Sequence, residues 1–406
     1  MPNRLFKPSP RSRCACSFFF LLLLSFGLQA REIHVDPSGN DGNAGTAAAP
    51  YATIGKAAAV AVAGDVVIIH AGTYEETLRP ANSGTPGNPI VFRSAAGEKV
   101  IITAMASLSG FTSDGGGRYK KTVTWDLGQK NFVMNGTTAM DLARWPNNTD
   151  GDPFTLNSRR NTGGSGPNVS TGAFLTHNEI PNWNWAGGSI LFYGDKPGSG
   201  WTTWKAFITS SSSGRVNFNL IKNQSWIRTF HAPSDKGDYF LEGIKQALDY
   251  QNEWWFNAST KTLFVQLPGG NAPAPGQVQM RRRDMTVNLD GRNHIHLENL
   301  AVFGGGVSIQ GAGNRLYGVS SFYGNYTRGV SPDMASGNRS IDIKSGSSNT
   351  VIERCEIAFG SGAGIWDSGN GTVIENCYIH DFNFLGVYDG PIMARNGNAT
   401  TIRKNT

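Results

Sequence analysis

Short apolar runs separated by turn residues recur along most of the chain. Gly64-Asp65-Val66-Val67-Ile68-Ile69-His70, Ile90-Val91-Phe92-Arg93 and Gly97-Glu98-Lys99-Val100-Ile101-Ile102 are β-branched runs of strand length, with Pro86-Gly87 and Pro89 among the breakers between them. One stretch, Ile54 to Ala63, is alanine-rich and predicts a helix. Strands joined by turns and not by long helices predict a β-solenoid, its first coil capped by that helix.

From Asn293 onward the pattern has a measurable period. "TVIERCEIAFGSGAGIWDSGNG" begins at Thr350 and "TVIENCYIHDFNFLGVYDGPI" at Thr372. Ile352 and Ile374, Cys355 and Cys377, Ile357 and Ile379, Ile365 and Val387, and Asp367 and Asp389 each stand 22 residues apart, about one coil. Counting back 22 from Ile365 reaches Ile343 and predicts a third coil in register. The last residues, Ala399 to Thr406, put Ile402 in the place of Ile374 and resemble the opening of another coil. A solenoid finishes with a polar cap, so the chain is expected to be truncated, with any site residue of later coils lying past Thr406.

The segment 151–278 breaks this rhythm. It holds Trp183, Trp185, Trp201, Trp204, Trp226, Trp254 and Trp255, with alternating runs such as Thr262-Leu263-Phe264-Val265-Gln266-Leu267, and predicts a β-rich insertion packed on the solenoid. Indole rings there can stack on a sugar face or fill a core, and core packing is the plainer account of any single ring. The expected organisation is residues 1–30 as a signal peptide, 31–150 as cap and first coils, 151–278 as the insertion and 279–406 as coil repeats.

Composition agrees with many turns, since 51 of the 406 residues are Gly, without a G-X-Y period. At 39% hydrophobic residues the chain is too apolar to be disordered. Arg4, Lys7, Arg11 and Arg13 precede an apolar run from Cys14 to Leu28, with Gln29-Ala30 as a cleavage point, the pattern of an export signal. The run is shorter than a membrane span, and none follows, so the expected location is periplasmic or extracellular, off the membrane. Without those four basic residues the formal charge falls from +6 to +2, which removes the argument for nucleic-acid binding. Cys355 and Cys377 then remain; they are expected to point inward as buried free thiols, a strained cross-coil disulfide being the lesser possibility.

The order "VDPSGNDGNAGTAAAPYATIGKAAAVAVAGDVVIIHAGTY" followed by "SGTPGNPIVFRSAAGEKVII" resembles the opening of secreted right-handed parallel β-helix proteins of the pectin-lyase-like superfamily. "MDLARWPNN" and "LDYQNEWWFNASTKTLFVQLPGG" resemble segments of its glycoside-hydrolase-like branch. The resemblance implies an all-β, right-handed parallel β-helix and a polysaccharide substrate. It leaves two reactions open, hydrolysis and lyase elimination on a uronic-acid polymer.

In the 22-residue register Ile343, Ile365 and Val387 point inward, so Lys344, Trp366 and Tyr388 form one outward column, with Asp342 beside Lys344. A cation over aromatic rings suits a glycan, although a plain surface ladder would look the same. Asp367 and Asp389 would then lie on adjacent coils, roughly 5 Å or more apart. Such a pair can serve as the two carboxyls of a glycosidase, as a Ca²⁺ site for a lyase, or only as turn residues. Lys344 could supply the base of a lyase, whereas a hydrolase needs no cofactor. His380-Asp381 is a weaker candidate for a general base, a surface turn being the commoner outcome. Arg281-Arg282-Arg283 is expected to be mixed solvated surface. A monomer acting on a polysaccharide, slightly favouring hydrolysis, is the expected assembly; a non-catalytic glycan-binding β-helix is the alternative outside enzymes.

Overall fold

The computed structural model describes residues 30–152, 155–169, 171–194, 202–220, 232–324, 326–327, 339–384 and 389–406. The signal-peptide expectation and Tyr388, Val387, Trp201 and Trp226 lie outside them.

Three parallel sheets wind into one β-helix. The first stacks Glu32–Val35, Val66–Ile69, Ile90–Ser94, Ile295–Glu298, Arg315–Tyr317, Val351–Glu353, Val373–Glu375 and Thr401–Arg403. The second runs from Gly72–Tyr74 through Val100–Thr103, Ala301–Phe303, Ser320–Phe322 and Glu356–Ala358 to Tyr378–His380. The third stacks Met285–Asp290, Gly306–Gln310, Ile341–Ile343, Ile365–Asp367 and Ile392–Ala394. Inward aliphatics from all three sheets, Ile295, Val302, Ile309, Ile352 and Ile374 among them, form one continuous core. Each such side chain contributes about 1.5–3 kcal/mol by leaving water.

The cap helix is Ile54–Val60, shorter than expected, with the Thr53 hydroxyl accepting from the Lys56 amide at its N-terminus. It covers the first coil with Ile54, Ala57 and Ala58.

The corner between the first and second sheets is a single left-handed residue. Asn299, Gly318, Arg354, Asn376 and Lys404 all have φ between 53° and 61° there. The residue that follows turns inward, so Cys355 and Cys377 take the place that Val319 and Leu300 hold one and two coils before Cys355. Both thiols are buried and free, as expected; the hydrogen bond with Cys377 and then burial raise the Cys355 thiol above its ordinary range.

The period behaves differently in each sheet. Val351 pairs with Val373, Ile352 with Ile374 and Ile357 with Ile379, as the 22-residue spacing predicts. In the third sheet Ile365 pairs with Ile341 and with Ile392, so Ile343 lies opposite Asp367 and Asp367 opposite Ala394. The expected stacks of Ile343 on Ile365 and of Asp367 on Asp389 are therefore absent. Strand pairing is held by backbone hydrogen bonds, whereas turn length at the surface is free to vary. The turn from the second sheet to the third is longer after Ile379 than after Ile357, and a constant period fails there.

The excursion from the helix is also wider than expected. Ile90–Ser94 pairs directly with Ile295–Glu298, and Val100–Thr103 with Ala301–Phe303. Everything from Met105 to Arg281 is thus inserted at one corner between the second and third sheets. It forms antiparallel sheets whose largest order runs Arg144–Trp145, Gly237–Glu242, Ser189–Gly194, Thr202–Ser212, Arg215–Asn219, Ala173–Thr176 and Gly163–Gly164. Trp185, Trp204 and Trp254 are buried in its cores and are not sugar platforms.

Arg281 overturns the solvated-surface expectation, because it is wholly buried where the insertion rejoins the helix. Its guanidinium donates to the carbonyls of Gly304, Tyr323 (3.0 Å), Tyr326 (2.6 Å) and Lys130 (3.1 Å). Burial draws its pKa down to about 10, still charged at neutral pH. One side chain thereby ties two turns of the β-helix to the insertion. Arg281→Met is expected to cost at least about 2 kcal/mol, because four carbonyls lose their donor. Urea denaturation checks this, and an unchanged midpoint would count against the anchoring role.

Candidate functional site

Alternation along the third sheet decides which of its side chains can meet a ligand. Val307, Ile341 and Ile365 point inward, as do Ile309, Ile343 and Asp367. Between them, Ser308, Asp342, Trp366 and Met393 make one outward column. Asp290, Gln310, Lys344, Ser368 and Arg395 follow two residues later and make the next.

Lys344 and Trp366 therefore both face outward but stand in neighbouring columns, not in one. Lys344 Nζ lies 2.5 Å from Asp290 Oδ2, and the other oxygen of Asp290 accepts from the Ser308 hydroxyl at 2.7 Å. Asp342 accepts from Arg339 Nη1 at 2.9 Å. The same Arg339 guanidinium lies 3.9 Å from the centre of the Trp366 ring, and Arg395 lies 5.7 Å from it. The Trp366 indole N–H donates to Ser368 Oγ at 3.2 Å. Trp366 is consequently only 9% exposed, against the open aromatic column expected. The result is a polar face with two ion pairs, Asp290–Lys344 and Asp342–Arg339, the second of which lies against one oriented indole.

Asp367 does not belong to this face. It is completely buried and accepts from the Gly369 amide (2.9 Å), the Thr372 hydroxyl (2.9 Å) and the Thr400 hydroxyl (2.7 Å). It closes the inner end of a turn, as a structural carboxylate with its bonds satisfied. Asp389 lies in the segment leading into Ile392–Ala394, with both carboxylate oxygens shielded from solvent. Its backbone carbonyl accepts from Asn383 Nδ2 at 3.3 Å.

His380 is on the second sheet, away from the Trp366 face. Its Nδ1 lies 2.7 Å from Asp381 Oδ2, its Nε2 lies 3.5 Å from Glu356 Oε1, and its ring stacks on Tyr378 at 4.0 Å. The structure thus brings together Asp342, Lys344 and Trp366, and leaves Asp367, His380 and Asp381 elsewhere. Sequence reasoning missed Asp290, Arg339 and Arg395. Asp290 lay outside the 22-residue repeat, and Arg339 and Arg395 become neighbours of Trp366 only in the true register.

Among the described residues no group of three or more His, Cys, Asp and Glu side chains is placed to hold a metal ion. The Ca²⁺ that the lyase alternative calls for does not fit this face, since each carboxylate there is already engaged by a cationic side chain.

Comparison with known proteins follows the same lines. A model described as "Right handed beta helix region" matches residues 335–406, and one described as "Protein of unknown function (DUF1565)" matches residues 37–80. Uncharacterized protein YwoF of Bacillus subtilis (strain 168) is 34% identical over 111 residues, 27% of this chain and 22% of that protein. Pectate lyase PEL9 of Emericella nidulans is 41% identical over 75 residues, 18% of each chain. The matched stretches span about a fifth of these curated relatives. Among solved structures, a glycoside hydrolase superposes with a TM-score of 0.66 at 15% identity, covering 87% of this chain and 74% of the other. XylC in complex with xylose gives a TM-score of 0.57 at 14% identity, covering 92% and 58%.

Asp367→Ala is expected to lower stability by about 1–3 kcal/mol, the range for buried donors left unsatisfied. A thermal melt reads this directly, and a loss-free variant would return Asp367 to the list of chemical candidates.

Proposed function

We propose that this chain, a right-handed parallel β-helix, is an exported carbohydrate-active enzyme that cleaves glycosidic bonds of a polysaccharide. The observation that carries this reading is the outer face of the third sheet, where Asp342 and Arg339 are held beside the Trp366 indole. A sugar on this face would bond its hydroxyls to Asp342 and the flanking cations, while the covered Trp366 indole holds the Arg339 guanidinium in place. The ion pair fixes the Asp342 carboxylate in one orientation, so that a bound sugar would meet it without reorganisation. Export rests on the basic and apolar leader within residues 1–30.

Hydrolysis is the preferred reaction. It needs two carboxyl groups, one giving a proton to the leaving oxygen and one acting on the anomeric carbon or its water. Asp342 is the candidate on the face; Asp389, at the edge where the third-sheet strands begin, could be the second only once its shielded oxygens are uncovered by the substrate. Lyase elimination is the second reading, favoured by one observation: Arg339, Lys344 and Arg395 supply three cations where a uronate carboxylate would lie. Against Lys344 as its base stands the 2.5 Å contact that holds its ammonium to Asp290.

The test is incubation of the protein with neutral and uronic-acid polysaccharides, following new reducing ends and unsaturated-product absorbance together. Reducing ends alone are expected, and absorbance rising with them would select elimination. Asp342→Asn is expected to lower turnover by about 10²–10⁴, the range for loss of a positioned acid or base. Trp366→Ala is expected to act mainly through KM; wild-type kinetics in both variants would remove the face from the site.

A further inference from the structure

Apart from the coil face, the insertion carries a cavity of about 240 Å³, walled by Trp255, Phe256 and Phe207 on its apolar side and by Asp126, Asn131 and Ser189 on its polar side. We propose that this cavity is a second carbohydrate site, which holds one neutral pyranose ring of the substrate and is separate from the face proposed for cleavage.

Its volume lies below the ~300–1,000 Å³ of drug-sized sites, which limits it to a small ring. The walls are rigid where a sugar needs them to be. The Trp255 indole is fixed by its N–H bond to the Gly243 carbonyl at 3.0 Å and by its packing on Phe264 at 5.3 Å. Phe207 is 43% exposed, which leaves a ring face open to a stacked sugar.

The polar side is built as well. Asn131 Nδ2 and the Gly128 amide both donate to Asp126 Oδ1 at 2.7 Å, which orients the carboxylate and leaves Oδ2 to accept from an entering hydroxyl. The Ser189 hydroxyl lies 3.4 Å from Glu242 Oε1, and Glu242 is itself wholly buried in an ion pair with Lys205. A hydroxyl at the cavity wall is thus held by charges behind it, much as a second layer orients a binding group.

Charge selects the class of sugar. Among the described residues Asp126 is the single charged one of the lining, and no Lys or Arg joins it. A uronate would set its carboxylate against Asp126 without a counter-charge, so the cavity takes a neutral ring. A site of this kind in the insertion would hold a polymer at a second point and raise its effective concentration at the coil face.

Isothermal titration of the purified protein with xylotetraose, cellotetraose and tetragalacturonate tests this. At least one neutral oligomer is expected to bind, and Ala258→Trp, a change at an exposed lining residue, is expected to weaken it tenfold or more while Ala258→Ser leaves it unchanged. Phe207→Ser gives a second variant outside the buried core, expected to weaken binding in the same direction. The proposal is overturned if neither neutral oligomer binds, if both cavity variants bind as the wild type does, or if tetragalacturonate binds as tightly and depends on the same residues. Because titration needs no turnover, absence of cleavage would count against the coil-face reading alone.

Discussion

Every outward side chain of the β-helix is positioned by the hydrogen-bonded register of its parallel ladders. Once Ile341 is paired with Ile365 and Ile365 with Ile392, the inward stack is fixed. Alternation then leaves no choice about the rest: Asp342 and Trp366 face out, and Asp367 faces in. A shift of one residue would turn the indole into the core and expose the aliphatics. The core thus determines the chemistry of the surface without contributing an atom to it.

The same constraint explains where variation is allowed. Coils are closed by turns, and left-handed single-residue corners such as Asn299 and Asn376 recur between the first two sheets at nearly the same φ. The corner between the second and third sheets is not so restricted. It accepts a longer turn after Ile379, and once, between Met105 and Arg281, it accepts a whole β-rich excursion. Arg281 fastens that excursion back to the Tyr323 and Tyr326 carbonyls, so the insertion is tied to the coils from which the proposed face is built.

The architecture was largely legible from the sequence, because Ile352/Ile374 and Ile357/Ile379 repeat within strands whose spacing backbone pairing preserves. The third sheet was less legible, since its register depends on turn lengths that a constant count of 22 cannot follow. That is why Asp367 looked like an outward acid and proved to be a core acceptor for Thr372 and Thr400. Lys344, Asp342 and Trp366 were found because outward position depends on local alternation. Asp290 and Arg395 were missed because their contacts with Lys344 and Trp366 cross coils, and Arg339 because its stacking on Trp366 does. Arg281 was misplaced for another reason: a basic run is ordinarily solvated, and nothing local signals a guanidinium enclosed by four carbonyls.

The central claim is that the polysaccharide lies along the outer face of the third sheet. Hydrogen–deuterium exchange with and without a bound oligosaccharide tests it most directly, because the ladders on either side serve as internal references. Slowed exchange is predicted in peptides covering 339–346 and 364–369, with the first-sheet strands Val351–Glu353 and Val373–Glu375 unchanged. Saturated binding with no protection in those two peptides would contradict the account.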